Sequence, residues 1–444
     1  MRKLLLTLLT MHILMTAALA DDDALYPARG DNGLYGYINA RAEWVIAPQF
    51  DGVGTFRGDY AIAIRYPEGF VNDPDDPFDE EKVACEGIID RTGHFVLEPI
   101  ARYIDAGYDG RYYGGKDTGI WVICTDESDG FFDIPSGYYS GQGVNPWHWI
   151  SDSQLIPVEG GYMDRTTGRM VIPGDFDWCD PASFHDGIVS TSYVDMDGNP
   201  IKYFMMDERG NVIHLPDGVS STYQGYYSCG RMLVVDENDC YGYADGAGNI
   251  VVPMQYPAAG DFNEGLAAVQ FPEGDHGYID VNGHAVVRGF TRSFTFYCGY
   301  GEVWLSGTSY DDCVIGWVDR EGNIVPFMDS DRFYPISPER MWMRTEADYS
   351  SPLHLLDGQG NILTAEPVYL MEFESWSFDE GLQAACNAER KWGYIDLNGQ
   401  VVIPFIYSAA YAFDGELARV RLGDRVGYID RSGNEVYMWD DPIK

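Results

Sequence analysis

Short apolar runs alternate with polar turns along the whole chain, and one four-residue pattern recurs among them. A glycine precedes two strand-forming residues and an acid or its amide, and a second glycine usually stands three residues further on. Weaker copies end at Asp207 and Asp357, and from Asp164 onward the acids are 34 to 43 residues apart. Such a period is typical of solenoids and propellers. The clear copies end at Asn39, Asp90, Asp164, Asp245, Asp280, Asp319, Asp396 and Asp430.

The copy at residues 391–420 shows how one unit is built. Asp396 takes the first turn position and Gly399 the fourth, which predicts a type I turn and a left-handed glycine in a bulged hairpin. The flanking runs are β-branched and aromatic, so they predict antiparallel strands, and Pro404 is expected to end the second one because proline cannot donate to the ladder. A loop and a third strand follow, and the tight turn at 422–425 is expected to join consecutive units.

The number of units indicates whether the array is open or closed. We expect an all-β tandem array of about ten or eleven three-stranded antiparallel units, either propeller-like or an open curved solenoid. A single closed ring of that size would exceed the usual four to eight blades, so the count favours the open form. The recurring acids have one common local role as turn caps, which favours a structural interpretation over catalysis or calcium binding.

One copy carries a resemblance to a known family. Residues 391–396, Lys-Trp-Gly-Tyr-Ile-Asp, followed by Val402-Ile403-Pro404 and a later acid-Gly-Leu-Ala step, resemble the WG repeat family of bacterial proteins. The resemblance covers most of residues 33–437, although only Trp392 gives the namesake Trp-Gly pair and Tyr241, for example, replaces it elsewhere. It implies an all-β repeat array with a binding or scaffolding role and no shared catalytic residues.

The first twenty residues have the features of an export signal. Arg2 and Lys3 precede a mostly apolar stretch, and Ala18-Leu19-Ala20 stands before three aspartates. This predicts a signal peptide at 1–20, too short in its apolar part to span a membrane, and an array at 21–444. We therefore expect a secreted or periplasmic protein without membrane insertion.

Charge and composition narrow the class of partner. The formal net charge of −41 argues against nucleic acid, and 45% hydrophobic residues argue against disorder. The partner is therefore expected to be a protein or a glycan. Eight cysteines permit disulfides without selecting a pairing; the pairs closest in sequence are Cys229 with Cys240 and Cys298 with Cys313.

Two insertions interrupt the period. Residues 66–82 include a proline-rich acidic stretch that could hold a hard cation, but the spacing of an EF-hand loop is missing, so we predict a solvated loop and no metal site. The second insertion lies within the 74 residues from Asp90 to Asp164. This gap contains either a degenerate unit, with Asp126 and Gly130 in its turn, or a third strand at 119–124 followed by a long excursion.

Residues 128–153 hold aromatic side chains among glycines and serines. Aromatic rings on a loop can stack on sugars or pack against a partner protein. We therefore take Tyr138, Tyr139, Trp147 and Trp149 as candidate binding residues, the alternative being that the segment folds back as a cap over the array.

The sequence offers little for catalysis. It lacks a Gly-x-Ser-x-Gly elbow, a His-Glu-x-x-His motif, a phosphate loop and a dinucleotide fingerprint, so we predict no catalytic residues and no cofactor. The expected function is that of an exported protein-binding or scaffold module. The alternatives are a carbohydrate-binding surface protein and a glycan-active hydrolase, because 70 acids provide chance carboxylate pairs.

Overall fold

The regular structure consists of short antiparallel strands. The computed structural model describes residues 24–70, 85–108, 117–125, 129–141, 153–158, 160–174, 184–194, 200–222, 225–309, 312–325, 333–346, 350–370, 378 and 381–441. These residues form eleven sheets of three or four strands, with no α-helix among them, so the predicted all-β array of ten or eleven units is confirmed. No helix in these ranges is long and apolar enough to cross a membrane.

Each sheet is made of strands that are consecutive in the chain, and we number the sheets in chain order. The first six have the following strands. Sheet 1 has Tyr26–Arg29, Tyr35–Ile38 and Trp44–Phe50; sheet 2 has Gly52–Val53, Tyr60–Ile64, Glu86–Asp90 and Phe95–Ala101; sheet 3 has Tyr103–Tyr108, Asp117–Cys124, Asp129–Asp133 and Tyr138–Ser140; sheet 4 has Leu155–Val158, Gly161–Asp164 and Met170–Pro173; sheet 5 has Ile188–Val194, Pro200–Asp207 and Val212–Ile213; sheet 6 has Val219–Ser221, Met232–Asp236, Tyr241–Ala244 and Ile250–Tyr256.

The remaining five sheets continue the same order. Sheet 7 has Ala258–Ala259, Leu266–Gln270, His276–Asp280 and Ala285–Phe290; sheet 8 has Arg292–Tyr297, Tyr300–Ser306, Val314–Val318 and Ile324–Val325; sheet 9 has Phe333–Ser337, Arg340–Arg344 and Leu353–Asp357; sheet 10 has Leu382–Cys386, Trp392–Asp396 and Val401–Tyr407; sheet 11 has Ala409–Asp414, Leu417–Leu422, Arg425–Asp430 and Glu435–Asp440. We call the four strands of a complete sheet A to D; sheets 1, 4, 5 and 10 show B to D, and sheet 9 shows A to C.

Strand C carries the recurring pattern, and the turn after it has the predicted form. In sheet 10 the Gly399 amide donates to the Asp396 carbonyl at 2.9 Å, and the Asp396 amide donates to the Gln400 carbonyl at 3.0 Å. Gly399 has a φ of 73°, the left-handed value that the bulged hairpin requires. The turn at 422–425 joins strands B and C of sheet 11, so it lies within a sheet and does not connect two sheets as the sequence suggested.

The glycine that opens the pattern is required by the bulge in strand D. A methyl group on Gly242 would lie 2.6 Å from the Val252 carbonyl oxygen of the neighbouring strand, which is too close for any other residue. Strand D passes over this glycine with a register shift. Pro404 lies inside such a strand and does not end it, contrary to our expectation, because it sits in an edge-strand bulge where no ladder hydrogen bond is lost.

Consecutive sheets pack face to face around hydrophobic clusters. Between sheets 6 and 7, for example, Leu233, Tyr243 and Val252 meet Ala267 and Val269. Every pair of neighbouring sheets shares one such cluster. A further cluster brings residues of sheet 1 together with residues of sheet 11. The sheets therefore form a closed, propeller-like ring. Our expectation of the open form, based on the number of units, is wrong, because side chains of sheets 1 and 11 pack together and join the two ends of the array.

A tyrosine in strand C links each of several sheets to the next. The hydroxyl of Tyr37 donates to the Gly54 carbonyl at 2.8 Å, and that of Tyr243 to the Gly260 carbonyl at 2.6 Å. Tyr394 donates in the same way to the Tyr411 carbonyl at 2.8 Å, again 17 residues further on. These tyrosine rings are fully buried, so an unpaired hydroxyl there would be costly.

The same contact closes the ring. Tyr428 of sheet 11 donates to the Pro27 carbonyl of sheet 1 at 2.9 Å. Tyr437 donates to the Arg29 carbonyl at 3.1 Å, and the Tyr26 hydroxyl accepts the Glu416 amide at 3.2 Å. Sheets 1 and 11 are each built from one continuous segment, so side chains join the two ends of the chain without a shared strand.

We expect Gly242→Ala to lower the free energy of unfolding by about 1 to 3 kcal/mol, because its methyl group would overlap the Val252 carbonyl. Gly260→Ala is the matched control, since the nearest atom to its methyl group is 3.9 Å away. Urea unfolding of both variants measures the difference. Equal stabilities would show that strand D does not need the glycine.

We expect Tyr428→Phe to lower the free energy of unfolding by about 0.5 to 1.5 kcal/mol, because the ring closure loses one buried hydrogen bond. Tyr411 is 39% exposed, and Tyr411→Phe should change stability by less than about 0.5 kcal/mol. Thermal unfolding of the two variants provides the comparison, and no loss in Tyr428→Phe would contradict the closed ring.

Candidate functional site

The recurring acids were the first candidates for chemistry, and they are engaged in the turns. Asp245 Oδ1 accepts the amides of Ala247 and Asn249, both at 2.9 Å, and the Asn249 side-chain amide donates to Oδ2 at 3.0 Å. The hydrogen bond from the Asn249 side chain lowers the pKa of Asp245 below its ordinary value. Its carboxylate is therefore held in the ionised form as an acceptor and is poorly suited to proton transfer.

The same two amide hydrogen bonds, from the second and fourth residues after the acid or amide, occur in eight further described turns that follow a strand C. They begin at Asn39, Asp90, Asp207, Asp280, Asp319, Asp357, Asp396 and Asp430. Asn39 makes these bonds without a charge, so the turn needs an oxygen acceptor and not a carboxylate. The interpretation of the acids as turn caps follows from these contacts.

Arginines next to these turns donate to backbone carbonyls inside the fold. Arg91 donates to the Gly58 carbonyl at 2.8 Å while its guanidinium lies over the Phe56 ring, 5.4 Å from the centroid. Arg231 donates to the Val281 carbonyl at 2.7 Å and thereby ties sheet 6 to sheet 7. These two arginines thus serve contacts within the ring.

One turn acid also takes part in a buried ion pair. Asp133 of sheet 3 pairs with Arg165 of sheet 4, and their side chains are only 1% and 7% exposed. The Arg165 guanidinium also donates to the Gly119 carbonyl at 3.1 Å, and Asp133 accepts the Ser136 amide at 3.0 Å. Because both charges are paired and hydrogen-bonded, this contact joins the two sheets and leaves no free carboxylate for chemistry.

The third sheet revises the interpretation of residues 128–153. Residues 129–133 and 138–140 are strands C and D of sheet 3, so this part continues the array. The degenerate unit is centred on Asp133 and Gly137, not on Asp126 and Gly130. Sequence reasoning missed Gly130-Phe131-Phe132-Asp133, a copy of the pattern 43 residues after Asp90, because its turn is one residue longer than most.

The structure places two of the four candidate binding residues. Tyr138 and Tyr139 lie side by side in strand D of sheet 3, both partly exposed. The Tyr138 ring lies 6.1 Å from that of Phe131, and Tyr139 packs on the cluster between sheets 2 and 3, where burial raises its pKa. They are strand residues and not loop residues. Trp147 and Trp149 lie outside the described residues.

The described residues contain neither a metal site nor either of the two short-range disulfides considered in the sequence. Within the described ranges no group of three or more His, Cys, Asp or Glu side chains could hold a metal ion. The acidic stretch of the 66–82 insertion lies outside those ranges; the ends of this insertion meet where the Arg65 amide donates to the Cys85 carbonyl at 2.9 Å. Cys229, Cys240 and Cys298 carry free thiols, so neither of the two short-range pairs is a disulfide.

Comparison with known proteins identifies the repeat. Four segments match the family model described as WG containing repeat: residues 35–64, 161–189, 241–271 and 392–425. These four segments are WG repeats. Each matched segment starts at strand C of one sheet and continues into the next sheet, so a WG repeat spans two half-sheets. The segments 35–64, 241–271 and 392–425 include the tyrosine contact between the two sheets. The sequence resemblance is therefore confirmed.

Other similarities are weak. BamB from Moraxella catarrhalis is 12% identical over 64% of this chain and 92% of its own, with a TM-score of 0.29. The WD40 β-propeller domain of Doa1 is 12% identical over 53% and 86%, with a TM-score of 0.23. A protein of unknown function from Bacteroides caccae is 12% identical over 59% and 91%, with a TM-score of 0.22. No curated protein matches the chain.

The role of the turn acids can be tested at Asp245. We expect Asp245→Ala to lower the free energy of unfolding by about 0.5 to 2 kcal/mol, because two backbone amides lose their acceptor. Asp245→Asn should be nearly neutral, since Asn39 occupies the same position in sheet 1. Chemical denaturation separates the two outcomes. If the asparagine variant were as unstable as the alanine variant, the carboxylate charge itself would be needed.

Proposed function

We propose that this protein is an exported, non-catalytic scaffold whose ring binds a partner protein. The observation that carries the proposal is that the acid of each described turn accepts hydrogen bonds within its own turn or pairs with a neighbouring arginine. The residues that recur in the repeat thus maintain the architecture, and recognition is left to the positions that vary between units.

Charge indicates the chemistry of the partner. Arg340 donates to the Leu397 carbonyl at 2.7 Å and Arg431 to the Gly415 carbonyl at 2.8 Å, so these cations, like Arg91 and Arg231, serve internal contacts. The sequence has only six lysines against 70 acids. A cationic partner protein suits such a surface, because opposite charge speeds encounter and favours binding.

The candidate aromatics provide the test of this proposal. We expect Trp147→Ala together with Trp149→Ala to abolish capture of a partner from the extracellular fraction while leaving the melting temperature of the ring nearly unchanged. Tyr411→Phe, remote in sequence, is the matched control and should retain the partner. Binding of the identified partner should also weaken steeply as salt is raised from about 50 to 200 mM, since salt screens the attraction between exposed charges, with a Debye length of about 10 Å at 0.1 M.

Two results would overturn the proposal. A double variant that stays folded and retains every partner would exclude these tryptophans as the binding residues. Affinity that does not change with salt would exclude a cationic partner held by charge.

A carbohydrate ligand is the second candidate. It is favoured by Tyr138 and Tyr139, two partly exposed residues on an edge strand that precedes Trp147 and Trp149 in the sequence. Flat aromatic faces suit sugar rings. Binding to a glycan array without turnover would support this candidate, whereas release of reducing sugar would identify a hydrolase and contradict a non-catalytic role.

A further inference from the structure

One buried carboxyl group lies in the interface between sheets 6 and 7, and we call such an interface between neighbouring sheets a seam. Asp261 follows strand A of sheet 7, and it accepts the backbone amide of Tyr226 from sheet 6. Its Oδ1 atom is buried and has no hydrogen-bond partner in the described part of the chain, although another part of the residue reaches the surface. A buried acceptor without a partner favours the protonated acid.

The position itself does not require an acid. Asp261 stands between Gly260, whose carbonyl accepts the Tyr243 hydroxyl, and Phe262, whose ring packs on Tyr243 at 4.6 Å. The corresponding residues, which also precede the phenylalanine that packs on a strand-C tyrosine, are Thr55, Thr295 and Ala412. These three seams thus carry an uncharged residue where the seam between sheets 6 and 7 carries a carboxyl group.

The titratable groups around Asp261 do not offset its charge. Tyr243 faces it from sheet 6 and interacts with Tyr256, and burial raises the pKa of both phenols, so they stay neutral. His185 of sheet 5 lies beyond Tyr226, with their rings 4.8 Å apart. Burial raises the pKa of Asp261 from 3.8 to about 7, and the Tyr226 amide opposes this shift only in part.

We propose that the seam between sheets 6 and 7 is a proton-operated latch, tight while the Asp261 carboxyl is protonated and weakened when it ionises. Between pH 3.8 and about 7, the Asp261 carboxyl is protonated in the closed seam and ionised in the opened, solvated seam. The equilibrium constant for opening the seam therefore rises by up to about tenfold per pH unit within this range. Above about pH 7 this constant no longer changes. Acidification thus tightens the ring at one defined seam.

Hydrogen exchange at the seam tests the latch. Exchange in peptides covering residues 225–236 and 258–270, corrected for intrinsic rates, should accelerate by more than tenfold between pH 5 and 7.5 in the native chain. Asp261→Asn, which mimics the protonated acid, should remove most of this acceleration. Glu264→Gln is the matched control, because it removes a nearby charge and keeps an acceptor for the Gly299 amide; it should behave like the native chain.

Two outcomes would overturn the latch: the same pH dependence in Asp261→Asn as in the native chain, or a loss of pH dependence in Glu264→Gln. If the asparagine variant does not fold, Asp261→Thr takes its place, because threonine occupies the same position before Phe56 and Phe296. A threonine variant that keeps the native pH dependence would contradict the proposal equally. Exchange elsewhere in the ring, such as at residues 35–50, serves as the internal reference.

Discussion

The hydrogen bond from a buried strand-C tyrosine to a carbonyl of the next sheet is the contact on which the ring depends. It places a polar group inside a hydrophobic seam, where it is stable only if its partner is held at the right position. Since the WG repeat spans two half-sheets, Tyr37, Tyr243 and Tyr394 find their partners 17 residues later in the same repeat. Each repeat thereby ties two sheets together, and the same kind of contact, from Tyr428 to Pro27, joins the two ends of the chain.

The other constant residues of the repeat serve the same seam. The first glycine of the pattern leaves room for the bulge of strand D. The glycine of the turn packs against strand D of the preceding sheet, since a methyl group on Gly283 would lie 3.0 Å from the Val252 side chain and one on Gly433 would lie 3.1 Å from the Ile403 side chain. The acid of the turn holds this loop in shape through two backbone amides. Glycine, tyrosine and acid thus recur together because they shape successive parts of one interface between sheets.

Much of this could be predicted from the sequence, because the repeat is local. The period gave the number of units, and Asp396 with Gly399 gave the turn type, since both follow from nearby residues. Closure could not be predicted: it depends on Tyr428 and Pro27, which no repeat contains together. The third sheet was missed because its turn is lengthened, and the buried state of Asp261 depends on Tyr226 in a different sheet, which sequence spacing does not reveal.

Circular permutation tests the closed ring most directly. A short linker would join Asp441 to Ala24, and new termini would open the exposed turn at Gly274, where the chain has free space. The account predicts that this permutant folds with a single cooperative transition and a melting temperature within a few degrees of the native chain, because sheets 1 and 11 already touch. A permutant that fails to fold, or that melts in separate steps with sheets 1 and 11 unprotected, would contradict a closed ring of eleven sheets.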